Sequence, residues 1–458
     1  MGQAVVKFAL RLAALGALLT STSVAAQSSS GEGTEVGPVS ITTGVRLDVG
    51  YDSNVFGASN DSSEQEASGS VVVTPRLSAN SVDPGLVRFG SSLELSWTQQ
   101  LGDEDLRRQS RESIDGSLEL QVNPNGNISV TPSTVLSRGS RASFSQNGDP
   151  FKSLENTFEL ELGYHPGGSL RGSRIGMTAS LSGFVRSWRY DGAGLDDADK
   201  NGFGGRLEVK YNFLPRTAWF MNGMAMSVAN ENAVVQRVID DSVTPPVAVG
   251  GRANPDSLQL RGSTGVSGLL ARRLGVLVSV GYGLASYSDV DVDTAQGGQI
   301  VTETVKTDNV AALVAEVGMT GYLSETSEVG LTYLRNLQDG AVEDGFTYHR
   351  GTLSADIDFA PLVAGAELFM QRNNFTNADT SSTPGCSGDT RQETVFGGGF
   401  DIGYRPMRFL TVGARYGLEA RNGNCDGQSV VEGGTLPLGV SSADYTKHSV
   451  FGFLSLSN

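Results

Sequence analysis

From about Ser40 to the C-terminus the chain alternates apolar and polar residues with a period of two, run after run. Period two is strand geometry, because successive Cβ atoms point to opposite faces. Leu274, Val276, Val278, Val280, Tyr282 and Leu284 share one face, against Gly275, Ser279, Gly281 and Gly283. Phe203, Leu207, Val209, Tyr211 and Phe213 alternate with Gly204, Arg206, Glu208, Lys210 and Asn212. The same pattern recurs in Phe158–Tyr164 and in Thr352–Phe359. The polar face carries charges of both signs, and the apolar face ends in aromatics. A soluble sandwich does not need that pattern, whereas a wall between lipid and water does.

Composition excludes the ordinary alternatives. Glycine accounts for 59 of 458 residues, nearly double the ordinary share of about 7%. Charged residues are 18%, against about 25% in soluble domains. Hydrophobic residues, at 38%, are too few for a large buried core. No G-X-Y period points to collagen.

The connections alternate in length. Short turns are expected at 82–85, 123–126, 166–168, 214–216, 271–273, 323–325, 360–361 and 405–407. Several carry the Pro, Asn and Gly that tight turns use. Longer polar connections fall at 53–64, 100–106, 141–151, 191–199, 238–256, 289–304, 338–344, 376–390 and 422–442. These connections join about 18 strands, an even number as in bacterial single-chain barrels. The expected fold is all-β, a single antiparallel transmembrane β-barrel over 40–458, with no length left for a plug. Short turns are periplasmic in such barrels, which puts both termini in the periplasm.

Residues 1–26 read as a cleaved secretory signal peptide. Lys7 and Arg11 precede the apolar run 12–19, and Val24-Ala25-Ala26 supplies small residues before Gln27. No apolar run approaches the ~20 residues of a membrane helix. Residues 27–39, rich in Ser, Gly and Glu at their start, read as a flexible periplasmic segment. The expected location is therefore the bacterial outer membrane.

Net charge is −16, which disfavours nucleic acid as a partner. Cys386 and Cys425, the only cysteines, fall in the last two long loops. In an oxidising compartment they read as a disulfide.

The inner face follows from the alternation. Its polar candidates are Arg46, Asp48, Arg88, Glu94, Glu119, Glu159, Glu161, Arg206, Glu208, Lys210, Arg350, Asp356, Asp358, Glu367, Asp401, Arg415 and Glu419. Both signs are present, which suits neutral or weakly charged hydrophilic solutes. Inward glycines such as Gly50, Gly204, Gly397 and Gly413 are expected to widen the lumen and let the sheet close. Acidic loop runs, Asp289/Asp291/Asp293 and Asp191/Asp196/Asp197/Asp199, read as solvated loops, since no calcium-loop spacing completes them. No metal site, cofactor or catalytic centre is expected. His165, His349 and His448 are scattered, and G-x-S-x-G is absent.

The first strand closes in Gly50-Tyr51-Asp52-Ser53-Asn54-Val55. With the whole-length strand pattern, this resembles the β-barrel porin type 2 families, which include outer-membrane barrels of exopolysaccharide operons. The resemblance implies a conduit for export of a polysaccharide, fed by periplasmic export proteins. The alternatives are a general diffusion porin for small hydrophilic solutes and a closed structural or adhesive surface barrel. Expected surroundings are the lipid bilayer and lipopolysaccharide, reached through the barrel-assembly machinery. The last strand ends in Asn458, where such barrels commonly end in an aromatic.

Overall fold

The computed structural model describes residues 34–55, 66–82, 85–141, 151–166, 176–191, 198–235, 238–240, 247–249, 252–296, 299–306, 309–338, 346–375, 392–423 and 444–457. Residues 1–26, expected to be a signal peptide, residues 27–33 and both cysteines lie outside them.

Eighteen antiparallel strands close into a barrel. They are β1 Val39–Asp52, β2 Ser68–Ser81, β3 Val87–Leu101, β4 Arg111–Val122, β5 Ile128–Arg141 and β6 Phe151–Tyr164. Next come β7 Gly176–Asp191, β8 Lys200–Leu214, β9 Thr217–Asn230, β10 Ser257–Ala271, β11 Leu274–Tyr287 and β12 Val310–Tyr322. The last six are β13 Glu328–Gln338, β14 Phe346–Phe359, β15 Leu362–Phe375, β16 Gln392–Met407, β17 Leu410–Gly423 and β18 Tyr445–Ser457. Each strand pairs with its sequence neighbours, and β1 pairs with β18 from Gly44↔Ser457 to Asp52↔Ser449. Closure leaves no sheet edge open along that seam. No helix among the described residues is long and apolar enough to cross a membrane.

The described chain ends lie together at the end of the barrel that carries the short connections. There β1 runs past the end of β18. The free edge of Val39–Ile41 is taken by Thr34–Val36, which folds back around Gly37. Gly37 has φ of +62°, a conformation glycine reaches without steric cost. The described part of the segment expected to be flexible is thus a short strand.

Two prolines interrupt the ladders locally. Pairing of β2 with β3 skips from Val73↔Trp97 to Arg76↔Glu94 at Pro75, which has no N–H to give. Pro132 does the same between β5 and β4. The expected turn 123–126 forms around Asn123, at φ 57°, whose amide donates to the Ile128 carbonyl at 2.7 Å.

Several expected boundaries move. The turn placed at 405–407 is strand: β16 runs to Met407, and Arg408-Phe409 makes the connection. The Arg405 N–H donates to the Pro361 carbonyl at 2.7 Å, and its guanidinium pairs with Asp358 at 3.3 Å. Those bonds hold the segment against the neighbouring turn. The turn placed at 166–168 spans 165–175, of which 167–175 lies outside the described residues. The loop placed at 100–106 spans 102–110 and holds one short helix, α1 (Glu104–Arg108), capped by the Asp103 side chain.

Two expected loops contain strands. Residues 231–256 hold the small pairings Val234–Val235 with Arg252–Ala253 and Val238–Asp240 with Val247–Val249. Residues 288–309 hold a hairpin, Val290–Gln296 with Gln299–Val305. Val234, Val290 and Val292 are buried together, with Ala253 against them. The two long connections therefore dock on one another through a small apolar core.

Candidate functional site: the inner wall

One face of the barrel is apolar and exposed. Phe203 is 67% exposed, Tyr282 58% and Met370 57%. Cross-strand partners share a face, so the register assigns every residue of the opposite, inner wall. All seventeen candidate polar residues stand in that inner register, on β1, β3, β4, β6, β8 and β14–β17. They form two unlike sectors.

The first sector runs across the seam, from β14 to β1. Asp48, nearly buried, accepts from Arg46 at 2.9 Å and from Arg415 at 3.4 Å. Arg350 pairs with Glu367 at 3.1 Å, Arg421 with Glu393 at 2.5 Å and Lys447 with Asp52 at 2.8 Å. Tyr445 donates to Glu419. Asp358 is held by Arg405 at 3.3 Å. These carboxylates have fixed partners, so the charge of this part of the wall is largely compensated, with Asp356 and Asp401 the exceptions among its described carboxylates.

Arginine stacks on aromatic rings in the same sector. The guanidinium carbon lies 4.2 Å from the ring centre for Arg46 on Phe453 and 4.1 Å for Arg350 on Phe369. Arg415 lies over Phe451 at 5.4 Å, and in the other sector Arg186 lies over Phe184 at 5.1 Å. Such contacts fix the guanidinium plane. Each ring overhangs a glycine on the adjoining strand. A Cβ at Gly397 would lie 2.5 Å from Phe369, at Gly413 2.5 Å from Phe453, and at Gly204 2.7 Å from Phe184. These inward glycines therefore do not simply widen the channel: neighbouring rings fill the space they leave.

Two polar recesses flank the Arg350–Phe369 stack. One, of about 360 Å³, is lined by Glu316, Thr332, Tyr348, Arg350, Thr352 and Gln371. The other, of about 340 Å³, is lined by Glu367, Phe369, Glu419, Lys447 and Ser449.

The second sector, β4 to β8, lies roughly across the ring. Glu119, Glu159, Glu161 and Glu208 face inward there. Arg206 answers Glu159 at 3.8 Å. Glu119, Glu161, Glu208 and Lys210 make no ion pair with a described residue. Asp115 accepts from Ser137 at 2.6 Å. Beside these carboxylates, on the same inner register, Phe184, Met226 and Val228 are buried with Trp188 and Met224 against them. Of the remaining candidates, Glu94 pairs with Arg76 at 2.7 Å on β3 and β2. Arg88, Asp356 and Asp401 make no ion pair with a described residue.

The inward aromatics Phe184, Phe369, Phe451 and Phe453, with Asp52, Glu393 and Lys447, are wall residues that the alternation alone did not single out. Their signal is a glycine at the paired position of the neighbouring strand, or an opposite charge at or diagonal to it. Among the described residues no three His, Cys, Asp or Glu side chains gather to hold a metal ion. In the loop hairpin, Asp291 and Asp293 accept from Thr304 and Thr302 at 2.7 and 2.8 Å. The expected disulfide between Cys386 and Cys425 lies outside the described residues.

The sequence matches no family model and no curated protein. Among solved structures it is similar to the FrpB iron transporter from Neisseria meningitidis, at 10% identity and TM-score 0.44, over 83% of this chain and 63% of that one. It thus spans less than two thirds of that FrpB chain. Acinetobacter baumannii OccAB4 is similar at 10% identity and TM-score 0.43, over 94% of this chain and 100% of that one. The ferric-catecholate import receptor Fiu from E. coli K12 is similar at 9% identity and TM-score 0.42, over 91% and 81%.

Proposed function

We propose that the chain is an outer-membrane conduit for hydrophilic solutes, and that its cargo is a polysaccharide. The carrying observation is the two-faced wall: an exposed apolar exterior closed around an inner face of charges, hydroxyls and glycines. A closed sheet satisfies its own backbone groups, as the bilayer demands. About 16–18 strands enclose an aqueous channel rather than a packed core. The short connections, with both described chain ends, belong to the periplasmic side in this reading, and the long ones to the exterior.

The polysaccharide assignment draws on the resemblance carried by Gly50–Val55 and on the seam sector. Most of its described carboxylates have fixed partners, chiefly arginines, and its two recesses offer hydroxyl, amide and carboxylate partners beside a ring. That chemistry suits a neutral sugar chain better than a strongly charged ion. Deletion of the gene tests the cargo. Loss of surface polysaccharide with unchanged small-solute uptake is the expected result. Normal polysaccharide with slowed uptake of small sugars makes the chain a diffusion porin instead.

A further inference from the structure

Among the described residues, Arg138, Lys152 and Arg189 on the outer face near the long-loop end are paired with carboxylates. Arg138 pairs with Glu112 at 3.4 Å, Lys152 with Asp191 at 3.9 Å, and Arg189 with Glu231 at 3.0 Å and Asp199 at 3.6 Å. On β13 to β15 the arrangement differs. Arg335 is the cross-strand partner of His349, and His349 is the partner of Arg372. The three form one row on the outer face, each three residues from the long-loop end of its strand. No carboxylate pairs with Arg335 or Arg372 among the described residues. The Nε of Arg335 is buried and has no hydrogen-bond partner.

The row sits directly beyond the apolar band. Leu331 is 56% exposed below Arg335, and Met370 57% below Arg372. The Tyr333 hydroxyl and His349 Nδ1 lie 2.8 Å apart. Arg372 donates to Gln392 at 2.5 Å. Two guanidiniums, an imidazole, a phenol and an amide thus share a patch at the boundary between apolar surface and loop. The net charge is −16, so this basic patch stands apart from the chain as a whole. Among the described residues Arg335 and Arg372 have no carboxylate partner, whereas Arg138, Lys152 and Arg189 do, and an anion supplied from outside would complete the patch.

We propose that this row binds a phosphate on the headgroup of a phosphorylated glycolipid in the outer leaflet. The phosphate would take charge-assisted hydrogen bonds from Arg335 and Arg372, and the acyl chains would lie against Leu331, Leu353 and Met370. The patch differs from the lumen in both face and chemistry. The inference rests on the reading of the long-loop end as the exterior, and the test separates the two.

Full-length protein in detergent micelles is titrated with bisphosphorylated lipid A, dephosphorylated lipid A and inorganic phosphate. Binding is read by native mass spectrometry. The unmodified protein is expected to retain bisphosphorylated lipid A at least tenfold better than the dephosphorylated form. R335Q/R372Q should lose that preference, while the rim control R138Q keeps it. Conductance of R335Q/R372Q in planar bilayers should equal that of the unmodified protein, which shows an intact barrel. Equal retention of both lipid A forms, or undiminished preference in R335Q/R372Q, overturns the proposal. Tight binding of inorganic phosphate alone overturns the lipid source. Surface labelling of a cysteine placed at Gln338 tests the orientation separately: labelling only from the periplasmic side removes the orientation, whatever the lipid result.

Discussion

The guanidinium of Arg350 lies 4.1 Å from the centre of the Phe369 ring, and the tip of that ring overhangs Gly397 on the next strand. Strand, ring and cation are layered, so the inner wall is organised by pairs that span neighbouring strands. Gly397→Val places a Cβ 2.5 Å from the ring, and either the ring or the backbone must move. Overpacking of this kind costs about 1–3 kcal/mol. The expected outcome is a lower urea midpoint in micelles for Gly397→Val. Gly399→Ala, whose nearest neighbour is a carbonyl at 3.7 Å, should leave the midpoint unchanged.

Glu393 is 2% exposed and is held by Arg421. Arg421→Met removes the cation from that nearly buried carboxylate. Breaking one side of a buried pair costs about 3–5 kcal/mol. Adding Glu393→Gln should recover part of the loss, because the uncompensated negative charge is then gone. Equilibrium unfolding of the single and double variants checks both steps.

In the proposed conduit, the excess of carboxylates on β4 to β8 is expected to set the permeation preference. Among the described residues Glu119, Glu161 and Glu208 have no ion-pair partner, so their field is expected to reach the channel. The triple variant Glu119→Gln/Glu161→Gln/Glu208→Gln should shift the reversal potential under a KCl gradient toward anions. Arg350→Gln should shift it toward cations. Equal reversal potentials in all three proteins would mean that these residues do not line the ion path.

Val292 packs with Val234 between two long connections. Val292→Asp buries a charge in that contact and should undock the hairpin without harming the barrel. Faster proteolytic nicking within 288–309, at an unchanged unfolding midpoint, is the expected outcome.

The strands were legible because period two depends only on which face meets lipid and which meets water. Leu274–Leu284 shows both faces without reference to its neighbours. The inner aromatics were not legible in that way. Phe451 and Phe453 sit on the polar face, and only the register with Gly50 and Gly413 explains why they are tolerated there. The Arg335–His349–Arg372 row likewise needs three strands in register before it exists. Pro406 misled in the other direction: proline punctuates turns in general, but here it lies at an irregular strand end held by Arg405. The loop hairpin Val290–Gln296 carried its own alternation, Val-Asp-Val-Asp, hidden by the number of carboxylates.

Single-channel recording on the purified full-length protein in planar bilayers tests the central claim most directly. A barrel of eighteen strands with a wet, charged inner wall should insert to give large ohmic steps, open at low voltage and blocked in part by added neutral oligosaccharide. Insertion confirmed by protection from protease, with no current at any voltage, would contradict the account and leave a closed barrel in its place.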